Sequence, residues 1–171
     1  GKFAHNPEPL PSHLVDLCEL VRIARADVGF SVDPDVDRLA IIDETGQPFG
    51  EEYTLVSVAD YLLDYHEGGN TVSNMSSTRA LRDITEQHGG CYTPAAVGEV
   101  NVVKRMRETD AVIGGEGNGG VIYPHLHAGR DALVGIALFL THLAKSGETV
   151  SQLRKRYPDY AMCKRRVELP A

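Results

Sequence analysis

The chain has 171 residues, 42% hydrophobic, 24% charged and 6% aromatic, which is the composition of one globular domain or two small ones and excludes a disordered or fibrous chain. Lys and Arg number 17 against 24 Asp and Glu, so the basic field that draws in nucleic acid is missing. The longest apolar run, residues 132–140, is roughly half a bilayer crossing, and Cys18, Cys91 and Cys163 form neither a CxxC pair nor an even set; a membrane span, a cysteine zinc site and a disulfide framework are all disfavoured.

In chain order, Leu10, Leu14, Leu17, Val21 and Ala24 recur at helical spacing, with Ser12 as a cap and Asp16 in the first turn, and predict a helix over 13–25. Two short strands follow, Ala26 to Val32 and Leu39 to Ile42, on either side of an acidic loop. A helix is expected over 51–65. The breaker-rich stretch His66-Glu67-Gly68-Gly69-Asn70 then separates it from a strand at 71–75, a helix at 77–88 and a strand at 91–93. A helix at 97–107, a strand at 110–114, a glycine loop and a helix at 130–145 complete the pattern. Alternating strands and helices mean α/β, with mixed sheets flanked by helices. The last helix is apolar on nearly every side and is expected to be buried between layers, with Lys145 and Gly147 ending it.

Asp33-Pro34-Asp35-Val36-Asp37-Arg38 places three carboxylates at alternate positions directly after a strand. Such a cluster keeps its charge only beside a cation, and an all-oxygen anionic set suits Mg²⁺. An EF-hand is disfavoured because Arg38 stands where its sixth-position Gly belongs. A phosphatase of the haloacid-dehalogenase type, with Asp33 as nucleophile, is a rival reading, although Asp37 replaces the expected Thr or Val.

Downstream, Gly114-Gly115-Glu116-Gly117-Asn118-Gly119-Gly120 follows an apolar strand. Its glycines allow backbone to approach a ligand closely, while Glu116 and Asn118 can hydrogen-bond vicinal hydroxyls. It is neither a P-loop nor a dinucleotide turn. His125 and His127 lack a third ligand at useful spacing and read as a surface loop or a phosphate-proximal polar contact; Arg130 with Asp131 reads as a capping and interdomain pair.

The segments DPDVDRLAIID, GEEYTL, SNMSSTRAL, AVGEVNVVKRM, GGEGNGGVIYP and GRDAL occur in the order found in the α-D-phosphohexomutases, which the chain resembles from end to end. The resemblance implies residues 1–58 as the end of a second domain with a metal loop, 59–156 as a complete third domain with a sugar loop, and 157–171 as a link toward a fourth. It implies Asp33, Asp35 and Asp37 as Mg²⁺ ligands, Arg38 as a phosphate contact, and Glu116 with Asn118 as the grip on sugar hydroxyls. Thr93, Gly98 and Glu99 resemble a loop near the substrate phosphate, but Ala95 and Ala96 replace its usual cation. Asn118 stands where Ser is usual and Gly117 where Met or Gln occurs, so the lettering leaves the hexose open. The implied reaction moves a phosphoryl group between the 1- and 6-positions of a hexose phosphate through a phosphoserine and a bisphosphate. A start at Gly1-Lys2-Phe3 without Met or a signal core reads as part of a longer cytoplasmic protein. The expected partners are therefore hexose phosphate, hexose bisphosphate and the rest of the mutase, domains 1 and 4; this chain alone is expected to be inactive. An open strand edge leaves room for a homo-oligomer. A non-catalytic sugar-phosphate-binding module is the remaining alternative.

Overall fold

The computed structural model describes residues 2–3 and 6–163. Alternation organises its N-terminal part. Strands β1 (Val28–Val32) and β2 (Leu39–Asp43) pair antiparallel, with Phe30 opposite Ile41 and Ser31 opposite Ala40. Successive side chains of a strand face opposite ways, and β2 is buried on both faces. Ala40 and Ile42 pack against Leu14 and against Leu17 and Val21 of the helix α1 (Val15–Ala24), whereas Leu39 and Ile41 enter the main core.

That core belongs to a three-layer unit. Parallel strands β3 (Asn70–Asn74), β4 (Tyr92–Ala95) and β5 (Ala111–Glu116) lie in the order β4-β3-β5, and the short β6 (Gly120–Ile122) adds antiparallel to β5. Helices α2 (Glu51–Tyr65), α3 (Ala80–Gln87) and α5 (Ala132–Ser146) cover one face of the sheet. On the other face α4 (Glu99–Glu108) sets Val102 and Met106 over Val72, Ala95, Ala111 and Ile122. The α/β class with helices flanking mixed sheets is the one expected. Phe139 of α5 joins the two parts, meeting Phe30 and Phe49 edge-on at ring separations of 6.2 and 5.2 Å, the arrangement that ring quadrupoles favour.

Two expectations are corrected. Helix α1 begins at Val15 with Leu14 as an N-cap that makes no side-chain bond, because Pro11–His13 forms a 3-10 turn and takes Ser12 out of the capping position. Helix α5 is not buried on all sides: Ala132, Gly135, Phe139 and His142 face inward, while Leu133 and Leu140 are 63% and 41% exposed. Apolarity around a helix measures what it could bury, and this chain supplies layers to only one side of it. Two elements went unrecognised. Strand β6 begins at Gly120, the last glycine of the loop, and α6 (Val150–Arg154) starts with a capping box between Thr149 and Gln152 that the spacing Thr149-Val150-Ser151-Gln152 marks. The other elements sit within three residues of their expected ends.

After α6 the chain runs back over α2, where the Tyr157 hydroxyl donates to Asp60 Oδ2 at 3.0 Å and Tyr53 donates to the Pro158 carbonyl at 2.8 Å. The rest of the expected link, 164–171, lies outside the described residues.

His142 is buried between α5 and α2, with Nδ1 2.9 Å from the Ser57 carbonyl oxygen and Nε2 3.9 Å from Asp60 Oδ2. Burial pushes its pKa below the usual imidazole value, against the attraction of Asp60. The folded chain therefore takes up this proton at lower pH than the unfolded one, so the contribution of neutral His142 is present above the unfolded pKa and is lost as pH falls below it. The thermal unfolding midpoint should drop between about pH 7 and about pH 5, and His142→Gln should drop less steeply. Parallel slopes for the two chains in thermal melts would remove His142 from this account.

Candidate functional site: an acidic loop joined to a glycine loop

Asp33 leaves β1 only 2% exposed and folds the acidic loop around its own carboxylate. Its Oδ1 accepts the backbone N–H groups of Asp37 and Arg38, both at 3.0 Å, and its Oδ2 accepts Arg38 Nε at 2.6 Å. Val36 is held in the left-handed region at φ 60, costly for a β-branched residue. Its carbonyl receives the Ala132 N–H at 3.0 Å, which pins the strained turn to the start of α5.

This construction brings Asp33, Asp35 and Asp37 together, with one oxygen from each within 4.8 Å of the others. Burial disfavours the charged form of Asp33, yet the bonds from Arg38 and Asp37 outweigh it and hold the pKa down to about 2. Asp37 moves the other way, up to about 6, through burial first and then its bond to Asp33, despite the attraction of Arg130. The donor set is hard, anionic and all oxygen, so its chemistry fits a divalent cation such as Mg²⁺.

Two glycines of the glycine loop are required by packing within the protein itself. A Cβ on Gly119, at φ +87, would overlap the Leu39 carbonyl oxygen, and one on Gly117 would overlap the Glu52 carboxylate. Leu39 N–H in turn donates to the Gly119 carbonyl at 3.1 Å. These two glycines let the loop lie directly against β2 and α2, so the close approach is to the protein's own chain.

Glu116, at the carboxyl end of β5, is 5% exposed. Its Oε1 accepts Asn74 Nδ2 at 2.7 Å and the Gly98 N–H at 3.1 Å, and its Oε2 accepts Arg130 Nη1 at 2.8 Å. Asn74 ends β3 and Gly98 follows β4, so three parallel strands meet at this carboxylate, on the edge where open α/β sheets hold ligands. Asn118 closes the turn by accepting the Gly120 N–H at 3.2 Å.

Arg130 connects the two loops. Besides Glu116, its guanidinium pairs with Asp37 of the acidic loop and, through Nε at 3.1 Å, with Glu99 at the start of α4. Asp131 does cap α5, accepting from Leu133 and Val134 at 2.8 and 3.0 Å. Arg130 was expected to pair with Asp131, but its partners are these three acids. Arg38 holds Asp33 and, at 2.6 Å, Glu8. Thr93 lies on β4, away from these contacts, while His125 and His127 occupy an exposed turn. Asn74 went unrecognised as part of the site; the SNMSSTRAL segment that contains it was noticed only as a motif.

Residues 50–160 match the model of phosphoglucomutase/phosphomannomutase alpha/beta/alpha domain III, and residues 1–46 match that of domain II. The chain belongs to the phosphoglucomutase/phosphomannomutase family. It is 37% identical over 161 residues to a phosphoglucomutase/phosphomannomutase of Thermococcus kodakarensis, a match covering 94% of this chain and 35% of that protein. To a probable phosphoglucosamine mutase of Methanopyrus kandleri it is 32% identical, over 99% of this chain and 38% of that protein. The crystal structure of a family protein from Burkholderia thailandensis superposes with a TM-score of 0.82 at 28% identity, over 92% of this chain and 34% of that one. A more distant fold neighbour, at 16% identity and a TM-score of 0.62 over 76% of this chain and 35% of that one, is an Aspergillus fumigatus N-acetylphosphoglucosamine mutase in complex with GlcNAc-6P and magnesium. The chain spans little more than a third of the length of the curated relatives it matches.

The seam between β2 and the glycine loop gives a direct test. Gly119→Ala combines a left-handed backbone with a backbone clash and should cost about 2 kcal/mol or more in urea unfolding. Gly89→Ala, also at positive φ (+74) but with nothing within 4 Å of its Cβ, should cost only about 1 kcal/mol. Equal costs would mean that the close packing on Leu39 is not what requires glycine.

Proposed function

We propose that this chain carries the metal loop and the sugar loop of an enzyme that transfers a phosphoryl group between the 1- and 6-positions of a hexose phosphate, an intramolecular phosphotransferase of the isomerase class. The observation that carries the reading is the joining of Asp33, Asp35 and Asp37 to Glu116 through Arg130 at the carboxyl edge of the sheet. Asp33, Asp35 and Asp37 would hold Mg²⁺, which supplies electrostatic neutralisation of charge on transferring phosphoryl oxygens. Arg38 stands beside that position to contact phosphate, while Asp33 keeps its fork oriented.

Glu116 and Asn118 orient the sugar through its hydroxyls. Both oxygens of Glu116 already accept protein donors, but a carboxylate offers about four lone-pair sites, so a hydroxyl can add to a carboxylate that Asn74, Gly98 and Arg130 hold in place. A carboxylate fixed in advance loses little freedom when substrate arrives. The relatives are named phosphoglucomutase/phosphomannomutase and phosphoglucosamine mutase, which supports a hexose phosphate as the substrate class. The phosphoserine donor and a phosphate-binding loop are assigned to the rest of the enzyme, outside these 171 residues.

The rival phosphatase reading needs Asp33 as an accessible nucleophile. Asp33 instead spends both oxygens on Arg38 and on the backbone of its own loop, which weakens it as a nucleophile, and the relatives are named as mutases.

In the intact enzyme, Asp35→Asn should remove most of the turnover of sugar 1-phosphates while leaving the fold unchanged, because Asp35 is exposed and its loss removes a ligand and not a structural bond. Near-normal turnover in a well-folded variant would sink the metal assignment. Glu116→Ala should lower kcat/KM by about tenfold or more, as loss of a buried hydrogen-bonding partner typically does. The 171-residue chain by itself, given Mg²⁺ and a hexose bisphosphate, should not interconvert these phosphates; measurable turnover would overturn the division of labour.

A further inference from the structure

Arg130 is one cation among acids from three elements: Asp37 from the loop between β1 and β2, Glu99 at the start of α4, and Glu116 at the end of β5. Its position does not depend on Asp37. The backbone N–H and Nε of Arg130 both donate to Glu99 Oε2, at 3.2 and 3.1 Å, and Nη1 donates to Glu116, which leaves Nη2 as the atom that reaches Asp37. Asp37 in turn is one of the three acids whose oxygens converge.

We propose that Arg130 is a positioning residue that acts as the exchangeable counter-ion of the acidic loop: its Nη2 edge neutralises Asp37 until a divalent cation takes that carboxylate, and Glu99 and Glu116 retain the released guanidinium at the sugar loop. The inference rests on the metal reading given above. A guanidinium and a divalent ion sharing one small carboxylate repel each other at short range, where screening is weak. Cation binding therefore weakens the Arg130–Asp37 pair, and the guanidinium falls back on its other two anchors. Metal occupancy at one loop and the hold on Glu116 at the other are linked through this one side chain, and such linkage is reciprocal.

The test uses this chain and Mn²⁺ alone, with free Mn²⁺ read by its paramagnetic resonance signal. Arg130→Gln should raise Mn²⁺ affinity by about three- to tenfold, the effect of removing one competing charge at close range. A residue with a merely structural role would, when lost, loosen the loop and lower the affinity. Arg105→Gln removes the same charge from an exposed pair with Glu108 and should leave the affinity unchanged. Glu116→Gln should weaken Mn²⁺ binding in the parent chain, by leaving Arg130 to Asp37, and weaken it less in the Arg130→Gln background. Should Arg130→Gln fail to fold, the parent chain still decides: Mg²⁺ should shift the side-chain ¹⁵N resonance of Arg130 and not that of Arg105. Equal or lower affinity in a folded Arg130→Gln chain, or an unmoved Arg130 resonance at saturating Mg²⁺, overturns the exchange and leaves the metal reading standing. No Mn²⁺ binding to either chain overturns the metal reading, and the exchange with it.

Discussion

The site depends on the enforced contact between the glycine loop and β2. Because Gly119 and Leu39 touch backbone to backbone, the last residue of β5 and the acidic loop are held a few ångströms apart, and a single guanidinium can span them. The three ion pairs of Arg130 follow from backbone packing, and the electrostatics of the site are built on that contact.

The same seam is reinforced from the core. Phe139 touches Phe30 of the hairpin and Phe49 before α2, so the hairpin that carries the acids and the layer that carries Glu116 share one apolar interior. The Ala132 N–H, one of the free donors at the start of α5, goes to the strained carbonyl of Val36. One helix therefore shapes the acidic loop through its first turn and anchors the hairpin through its middle. Arg154 stacks over the Tyr53 ring at 3.4 Å and pairs with Asp159, fastening the chain that leaves α6 against α2 on the far side.

A correspondence between local pattern and site is visible in several places. Three alternate acids after a strand mark the metal-binding candidate in the sequence, but their convergence comes from the turn that Asp33 folds around its own carboxylate, with Val36 in the left-handed region. Glu116 stood out as an acid among glycines. The function of those glycines did not, since a loop that packs on its own protein and a loop that packs on a ligand make the same demand for a missing Cβ.

The sequence by itself determined the α/β class, the order of the helices and strands apart from β6 and α6, the acidic triad and the family likeness, since each is written in periods of two or 3.6 residues or in contiguous motifs. Tertiary structure alone decided that Glu116 is a buried junction for Asn74, Gly98 and Arg130, and that α5 is covered on one side only. It also decided that Arg130 turns away from its neighbour Asp131 toward acids 14, 31 and 93 residues off in the chain. Such partners are chosen by which strand ends the sheet order places side by side, and the order β4-β3-β5 appears in no local pattern.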